Sequence, residues 1–372
     1  MVSRLIHRLG VSTSADQALA LLAMTNFAEA TAFAAAHETP WPRDVRAHLE
    51  AGHFEPPPDN AILGPVAPRG GPNGLILHRG RRAAAWGDTR QVDMTFSVAK
   101  SYLALIAGLA VADGLLSDLD ERVAAKVRDG GFEGAHNGAI TWRHLLTNTS
   151  EWEGSLFGKS DEIDRGRELG AEGQARKRSP RPLQAPGTHW EYNDVRVNRL
   201  SLALMRLFGR ELPELFAERI MSPLGASGDW RWEPYANATV EVEGRALRSV
   251  PGGGHWGGGV FIHAEDQALV GRLAAQDGVW EGRRLLPEGW VARCTVPSAL
   301  NPHYGFLVWL NTGCGKWPAA SERAFCFSGA GGNTTWVEPA EQVVVVSRWL
   351  DPARLDAFMG LVRGAVRGAG PA

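Results

Sequence analysis

Residues 94–116, MTFSVAKSYLALIAGLAVADGLL, constrain the fold more than any other stretch of the chain. From Ser97 onward Leu103, Ile106, Ala107 and Ala110 recur at spacings of three and four, which predicts a helix that Gly114 ends. So long an apolar run belongs in a core. Yet its first turn carries Ser97 and Lys100, three residues apart and so over one face. Two readings compete. Thr95 or Ser97 simply caps a core helix while Lys100 reaches water, or the hydroxyl and the amine form a reactive pair.

The second reading has specific chemistry behind it. A serine hydroxyl is a poor nucleophile until a base removes its proton. Burial would lower the Lys100 pKa and make a neutral amine available as base or relay. A helix start also presents backbone N–H groups and a positive dipole end. Phe96, Val98, Ala99, Leu103 and Leu105 give Lys100 apolar neighbours, an odd setting for a surface lysine.

At 372 residues the chain has room for two or three domain-sized units, or one domain with a large insertion. Residues 74–88 read as a hairpin. Strand-like runs at 257–263, 303–310, 324–329, 333–339 and 342–349 fill the C-terminal third, with helices over 264–276 and 351–366. Strands near both ends with helices between predict an α/β (α+β) fold, with a discontinuous antiparallel sheet flanked by helices. The expected division is an N-terminal helix and Pro/Gly-rich wrapping segment over 1–73, with the first 40 residues helical. A discontinuous α/β domain follows over 74–117 and 251–372, and a mainly helical insertion over 118–250. Within the insertion, 141–149 and 195–209 read as helices, and the charged, Pro-rich stretch 158–187 as an exposed loop.

Net charge is −2, which points away from nucleic-acid and membrane-surface partners. The N-terminal residues lack a signal-like apolar core, and no run of about 18 uncharged apolar residues occurs. Cys294, Cys314 and Cys326 are odd in number and lack CxxC spacing. The expectation is a reduced, cytoplasmic protein without a structural zinc site. Other motifs fail on spacing. GSLFGKS at 154–160 has three residues between its glycines where a phosphate loop needs four, and GAGGN at 329–333 lies between strands. HLEAGH at 48–53 has the wrong order for a zinc helix, and no G-x-S-x-G occurs.

The stretch DMTFSVAKS resembles the nucleophile motif of the serine β-lactamase and penicillin-binding-protein superfamily, most of all the class C β-lactamase-like hydrolases. That group includes carboxylesterases and 6-aminohexanoate-dimer hydrolases. Three further segments fall in the same order: ITWRHLLTNTSEWEG (140–154), GTHWEYNDVRVNRLSLAL (187–204) and FSGAGGNTTWVEP (327–339). The resemblance spans about residues 74–350. It implies Ser97 as nucleophile, Lys100 as its activator and Tyr192 as a second proton-transfer group, whose phenol needs positive neighbours to act as an anion. It also implies an oxyanion hole from the backbone N–H groups of Ser97 and Ala330, with a glycine turn after Gly329.

Two departures bear on substrate. The family's Y-x-N reads Tyr192-Asn193-Asp194, and its K-T-G reads Phe327-Ser328-Gly329. Asp194, Phe327, Ser328 and Gly329 are therefore expected to contact substrate. Trp152 and Trp309, and Trp256 with them, are candidates either for the pocket or for plain core packing. The implied activity is hydrolysis of small carboxylic esters through an acyl-enzyme, with no cofactor or metal. Amide or β-lactam cleavage and a silent peptide-binding relative are the alternatives.

Overall fold

The computed structural model describes residues 27–167, 177–179 and 181–368. Of the helix expected over the first 40 residues, Ala28–Ala36 (α1) is helical, and the part before residue 27 lies outside the described residues. The wrapping segment holds an unforeseen helix, Val45–Glu50 (α2), capped by the Asp44 side chain.

The main sheet has six antiparallel strands. β1 (Asn73–His78) and β2 (Arg81–Trp86) form the expected hairpin. β1 also pairs with β15 (Val343–Arg348), so the two ends of the chain share one sheet, in the order β12-β13-β14-β15-β1-β2. The others are β12 (Trp309–Leu310), β13 (Phe325–Gly329) and β14 (Asn333–Glu338). β12 is far shorter than the strand expected over 303–310. It pairs only with Phe325 and Cys326, so Phe327 to Gly329 have β14 on one side and no strand on the other.

The run at 257–263 forms β9 (Gly259–Ile262), but outside the main sheet. It lies between β3 (Asp93–Met94) and β6 (Arg231–Glu233) in a small sheet of its own. Two hairpins, β4 (Ser155–Leu156) with β5 (Lys159–Ser160) and β7 (Thr239–Val242) with β8 (Arg245–Arg248), lie in the middle of the chain. A third, β10 (Val279–Trp280) with β11 (Arg283–Arg284), follows.

The central helix α3 (Val98–Ala112) is buried on every side over Val98–Ala110, as its apolar run requires. Leu116 and Leu119 continue the core beyond Gly114, whose φ of +70° turns the chain. Trp290 of α8 (Trp290–Cys294) lies so close that a Cβ on Gly108 would sit 2.5 Å from its Nε1, and that indole donates to Ala104 O at 3.0 Å. α4 (Trp142–Leu146) and α5 (Asp194–Phe208) cover α3 from the middle of the chain, and α6 (Leu212–Phe216) follows them.

Helices cover both sheet faces. α7 (Ala264–Ala275) packs through Gly271 onto Thr335 and Val344. Trp86, on the opposite face, meets Phe358 of α9 (Leu355–Gly368). Among the described residues no helix is long and apolar enough to cross a membrane.

Candidate active site

The chain enters the site through an unusual backbone step. Phe96 is a buried, bulky residue at φ +51°, a left-handed conformation that costs such a side chain about 1–3 kcal/mol. The next residue, Ser97, returns to φ −69° as the first turn of α3 opens. A fully buried guanidinium holds this turn from below. Arg348 donates to Met94 O at 2.8 Å, to Ile262 O at 2.9 Å and to Asn333 Oδ1 at 2.7 Å. Asn333 in turn donates to Ala330 O at 2.7 Å. One buried unit thus fixes both the approach to Ser97 and the turn after β13. Those are the two peptides from which the oxyanion-hole N–H groups are expected.

The competing readings of the Ser–Lys pair separate here. The Ser97 side chain makes no capping hydrogen bond. Lys100 is 1% exposed, and its Nζ lies 2.8 Å from Ser97 Oγ. The ammonium is neither on the wet side of the helix nor idle. Ser97 remains 8% exposed.

One expectation is corrected. Burial alone would lower the Lys100 pKa, but the adjacent Asp194 carboxylate outweighs it, and Lys100 titrates above its ordinary value. Lys100 and Asp194 Oδ1 form a tight buried ion pair, so the amine is held protonated. Asp194 is buried, 3% exposed, beside Lys100. Its Oδ2 accepts from Arg167 at 2.7 Å and faces His255 Nδ1 at 3.2 Å. Burial would raise its carboxyl; His255 beside it and the Lys100 and Arg167 cations hold it well below the usual carboxylate range.

Tyr192 lies one residue before the Asn193 cap of α5. Its ring is bracketed by two cations, Lys100 Nζ at 4.9 Å and Arg167 Cζ at 5.2 Å. Trp309 stacks on it at 5.6 Å, and Tyr304 and Trp190 complete an aromatic wall. Trp309 therefore adjoins the site. Trp152 does not: it is buried against Arg199 and donates to Gly131 O at 2.6 Å. Trp256 is likewise core, donating to Asp59 O at 2.8 Å.

The end of β13 closes the site from above. A Cβ on Gly329 would meet Thr95 O at 2.0 Å and Ser97 N at 3.1 Å, so only glycine lets this strand approach the start of α3. Ser328, Gly329 and Ala330 are half-buried at the unpaired strand edge. Phe327, expected at the substrate, turns its ring into the core. It pairs with Thr335 on the α7 face and packs edge-on against Tyr102 at 6.5 Å, 2% exposed. Phe327→Lys should therefore bury an unpaired ammonium and lower the melting temperature sharply, by several kcal/mol of stability. A stable Phe327→Lys protein with a new preference for anionic substrates would contradict this placement.

Sequence reasoning missed several residues. The stretch 158–187 reads as an exposed loop because it is charged, yet Asp161, Asp164 and Arg167 are buried and face inward. The i, i+3 spacing of Asp164 and Arg167 was the available signal. Behind Asp194 lies a second layer of Glu55, Asp164 and His255, whose ligand atoms are within 4.8 Å of one another, a spacing a metal ion could bridge. The Lys177 ammonium already contacts both carboxylates, at 2.8 Å from Asp164 Oδ1, and supplies the cation there. The glycine run at 252–254 also has a reason. A Cβ on Gly253 would lie 2.9 Å from Lys100 Nζ and from Asp194 Oδ1, so bare backbone roofs the ion pair.

An antiparallel sheet whose strand β13 ends over a buried helix opened by Ser97 and Lys100 matches the arrangement expected for serine hydrolases of β-lactamase fold. The chain belongs to the Beta-lactamase family, which it matches over residues 75–347. Solved structures share the fold at low identity. A family VIII carboxylesterase is 17% identical with a TM-score of 0.59, covering 93% of this chain and 97% of that one. EstA from Arthrobacter nitroguajacolicus Rue61a is 21% identical at 0.56, over 88% and 97%. A β-lactamase from Mycobacterium bovis is 18% identical at 0.54, over 81% and 95%. A search of curated protein sequences finds no match.

Proposed function

We propose that the protein hydrolyses small, neutral carboxylic esters through an acyl-enzyme on Ser97. The observation that carries this is the buried contact of 2.8 Å between Lys100 Nζ and a Ser97 hydroxyl that caps nothing. Lys100 stays an ammonium and acts by its charge. Tyr192, in its anionic form between Lys100 and Arg167, takes the Ser97 proton as Oγ attacks the ester carbonyl carbon. The oxyanion so formed is received by the N–H groups of Ser97 and Ala330. The C–O bond to the alcohol then breaks, and the leaving alkoxide takes the proton from Tyr192. Water, giving its proton to the same tyrosinate, attacks the acyl carbon; the C–Oγ bond then breaks, the acid leaves and Tyr192 returns the proton to Ser97 Oγ.

Esters are favoured over β-lactams because Phe327 stands where the resembling enzymes carry a cation for the substrate carboxylate. A charge-assisted contact of that kind contributes about 1.5–3 kcal/mol. Esters also suit the site because an alkoxide or phenoxide leaves more easily than an amine. The fold shared with a family VIII carboxylesterase supports the same choice. The test is kcat/KM for p-nitrophenyl acetate and butyrate against p-nitroanilides and nitrocefin, together with labelling of Ser97 by a fluorophosphonate. The expected result is stoichiometric labelling and ester turnover at least tenfold above the others. No labelling overturns the hydrolase reading, and efficient nitrocefin turnover overturns the ester assignment.

A further inference from the structure

We propose that Arg167 is the second cation of the active site, a positioning residue that stands in for the lysine missing from the third motif and acts on Tyr192 together with Asp194. The inference rests on the serine-hydrolase reading above and deepens it. In the resembling enzymes the strand equivalent to β13 supplies a cation, whereas here Phe327 turns into the core against Tyr102. Arg167 reaches the site instead from the charged middle segment.

The geometry ties the two departures from the family pattern together. Asp194 binds Lys100 through Oδ1 and Arg167 through Oδ2, so one carboxylate holds two cations apart. An asparagine could not do this, because its side chain has one oxygen acceptor and its other arm is a donor. Both cations then face the ring of Tyr192, at 4.9 and 5.2 Å. The acid at 194 and the arginine at 167 are a matched pair.

Other charged and titratable groups around the guanidinium come from every side. Asp164 Oδ1 lies 3.4 Å from Nη1, and His255 Nε2 lies 3.4 Å from Nη2. Burial lowers the His255 pKa well below its ordinary value, against the pull of the Asp194 carboxylate and with Arg167 and Lys177 adding to the fall. Glu55 and Lys177 form the layer beyond. Arg167 Nε is buried without a hydrogen-bond partner, as is Arg199 Nε in its pair with Asp129.

The experiment compares wild type with Arg167→Gln, Arg167→Lys and the double variant Asp194→Asn/Arg167→Gln on p-nitrophenyl acetate, with active sites counted by fluorophosphonate. Arg167→Gln should lower kcat about 100-fold per labelled site while KM changes less than about threefold. Losing a cation beside the proton acceptor should also move the ascending limb of the pH–rate profile up by about one unit. Arg167→Lys should restore at least a tenth of kcat, and the double variant should bring the limb back toward wild type. An unmoved limb with wild-type kcat per labelled site in Arg167→Gln overturns the proposal. If Arg167→Gln does not fold, Arg167→Lys decides: at least a tenth of the wild-type kcat with an unmoved limb supports the proposal, and a folded protein with neither overturns it. Wild type that fails to label at Ser97 overturns the hydrolase reading instead.

Discussion

Ser97→Ala should lose ester hydrolysis by about 10⁵-fold or more, because the covalent route disappears with the hydroxyl. Stability should hardly move. The Ser97 hydroxyl caps nothing, so the usual cost of about 1 kcal/mol for a lost helix cap does not apply. Lys100 keeps its ion pair with Asp194 when the serine is gone. The melting temperature of Ser97→Ala should lie within about 2 °C of wild type. Mutant and wild type with equal turnover would remove Ser97 from the mechanism. A large fall in melting temperature would mean the hydroxyl has a structural task that the hydrogen-bond pattern does not show.

Lys100→Met should fail twice over. It removes the cation beside Ser97 and Tyr192, and it leaves Asp194 buried with Arg167 and His255 as its remaining partners. Breaking a buried pair by deleting one member costs about 3–5 kcal/mol, and Arg167 places the expected loss at the lower end of that range. The double variant Lys100→Met/Asp194→Asn separates the two effects. With no stranded anion it should regain most of the lost stability, as measured by denaturant midpoint, yet stay as inactive as Lys100→Met. Return of activity in the double variant would reduce Lys100 to a counter-ion for Asp194 and end its assigned role.

Much of the fold is written plainly in the chain. The alternating strands near both ends and the apolar run after Ser97 lead directly to a shared sheet over a buried helix, because periodicity reports which faces must leave water. Ser97 and Lys100 stand out by their spacing at a helix start among apolar residues, whereas Tyr192 is drawn in only through the resemblance of its segment to the family. What could not be read is how charges pair. Asp161, Asp164 and Arg167 look like a solvated surface in one dimension, since burial of an ion depends on a partner that is distant in sequence. The same limit hid the rise in the Lys100 pKa. Apolar neighbours are visible along the helix, whereas Asp194, 94 residues away, is not. Phe327 misled for a related reason. A motif position predicts a place on the strand, but the face of the strand is set by pairing with Thr335.

Arg348 gives the molecule a further property. The turn that presents Ser97 is strained at Phe96 and is held by a guanidinium from β15, which also grips residues 262 and 333. Four pieces of chain separated by as many as 254 residues must meet before that turn has its shape. The reactive serine is therefore made about 250 residues ahead of the arginine that sets it, and on a growing ribosomal chain it stays an unshaped serine until β15 has emerged and paired with β1. Such long-range assembly slows folding. Until Arg348 is in place, the turn before Ser97 lacks the guanidinium that grips Met94 O.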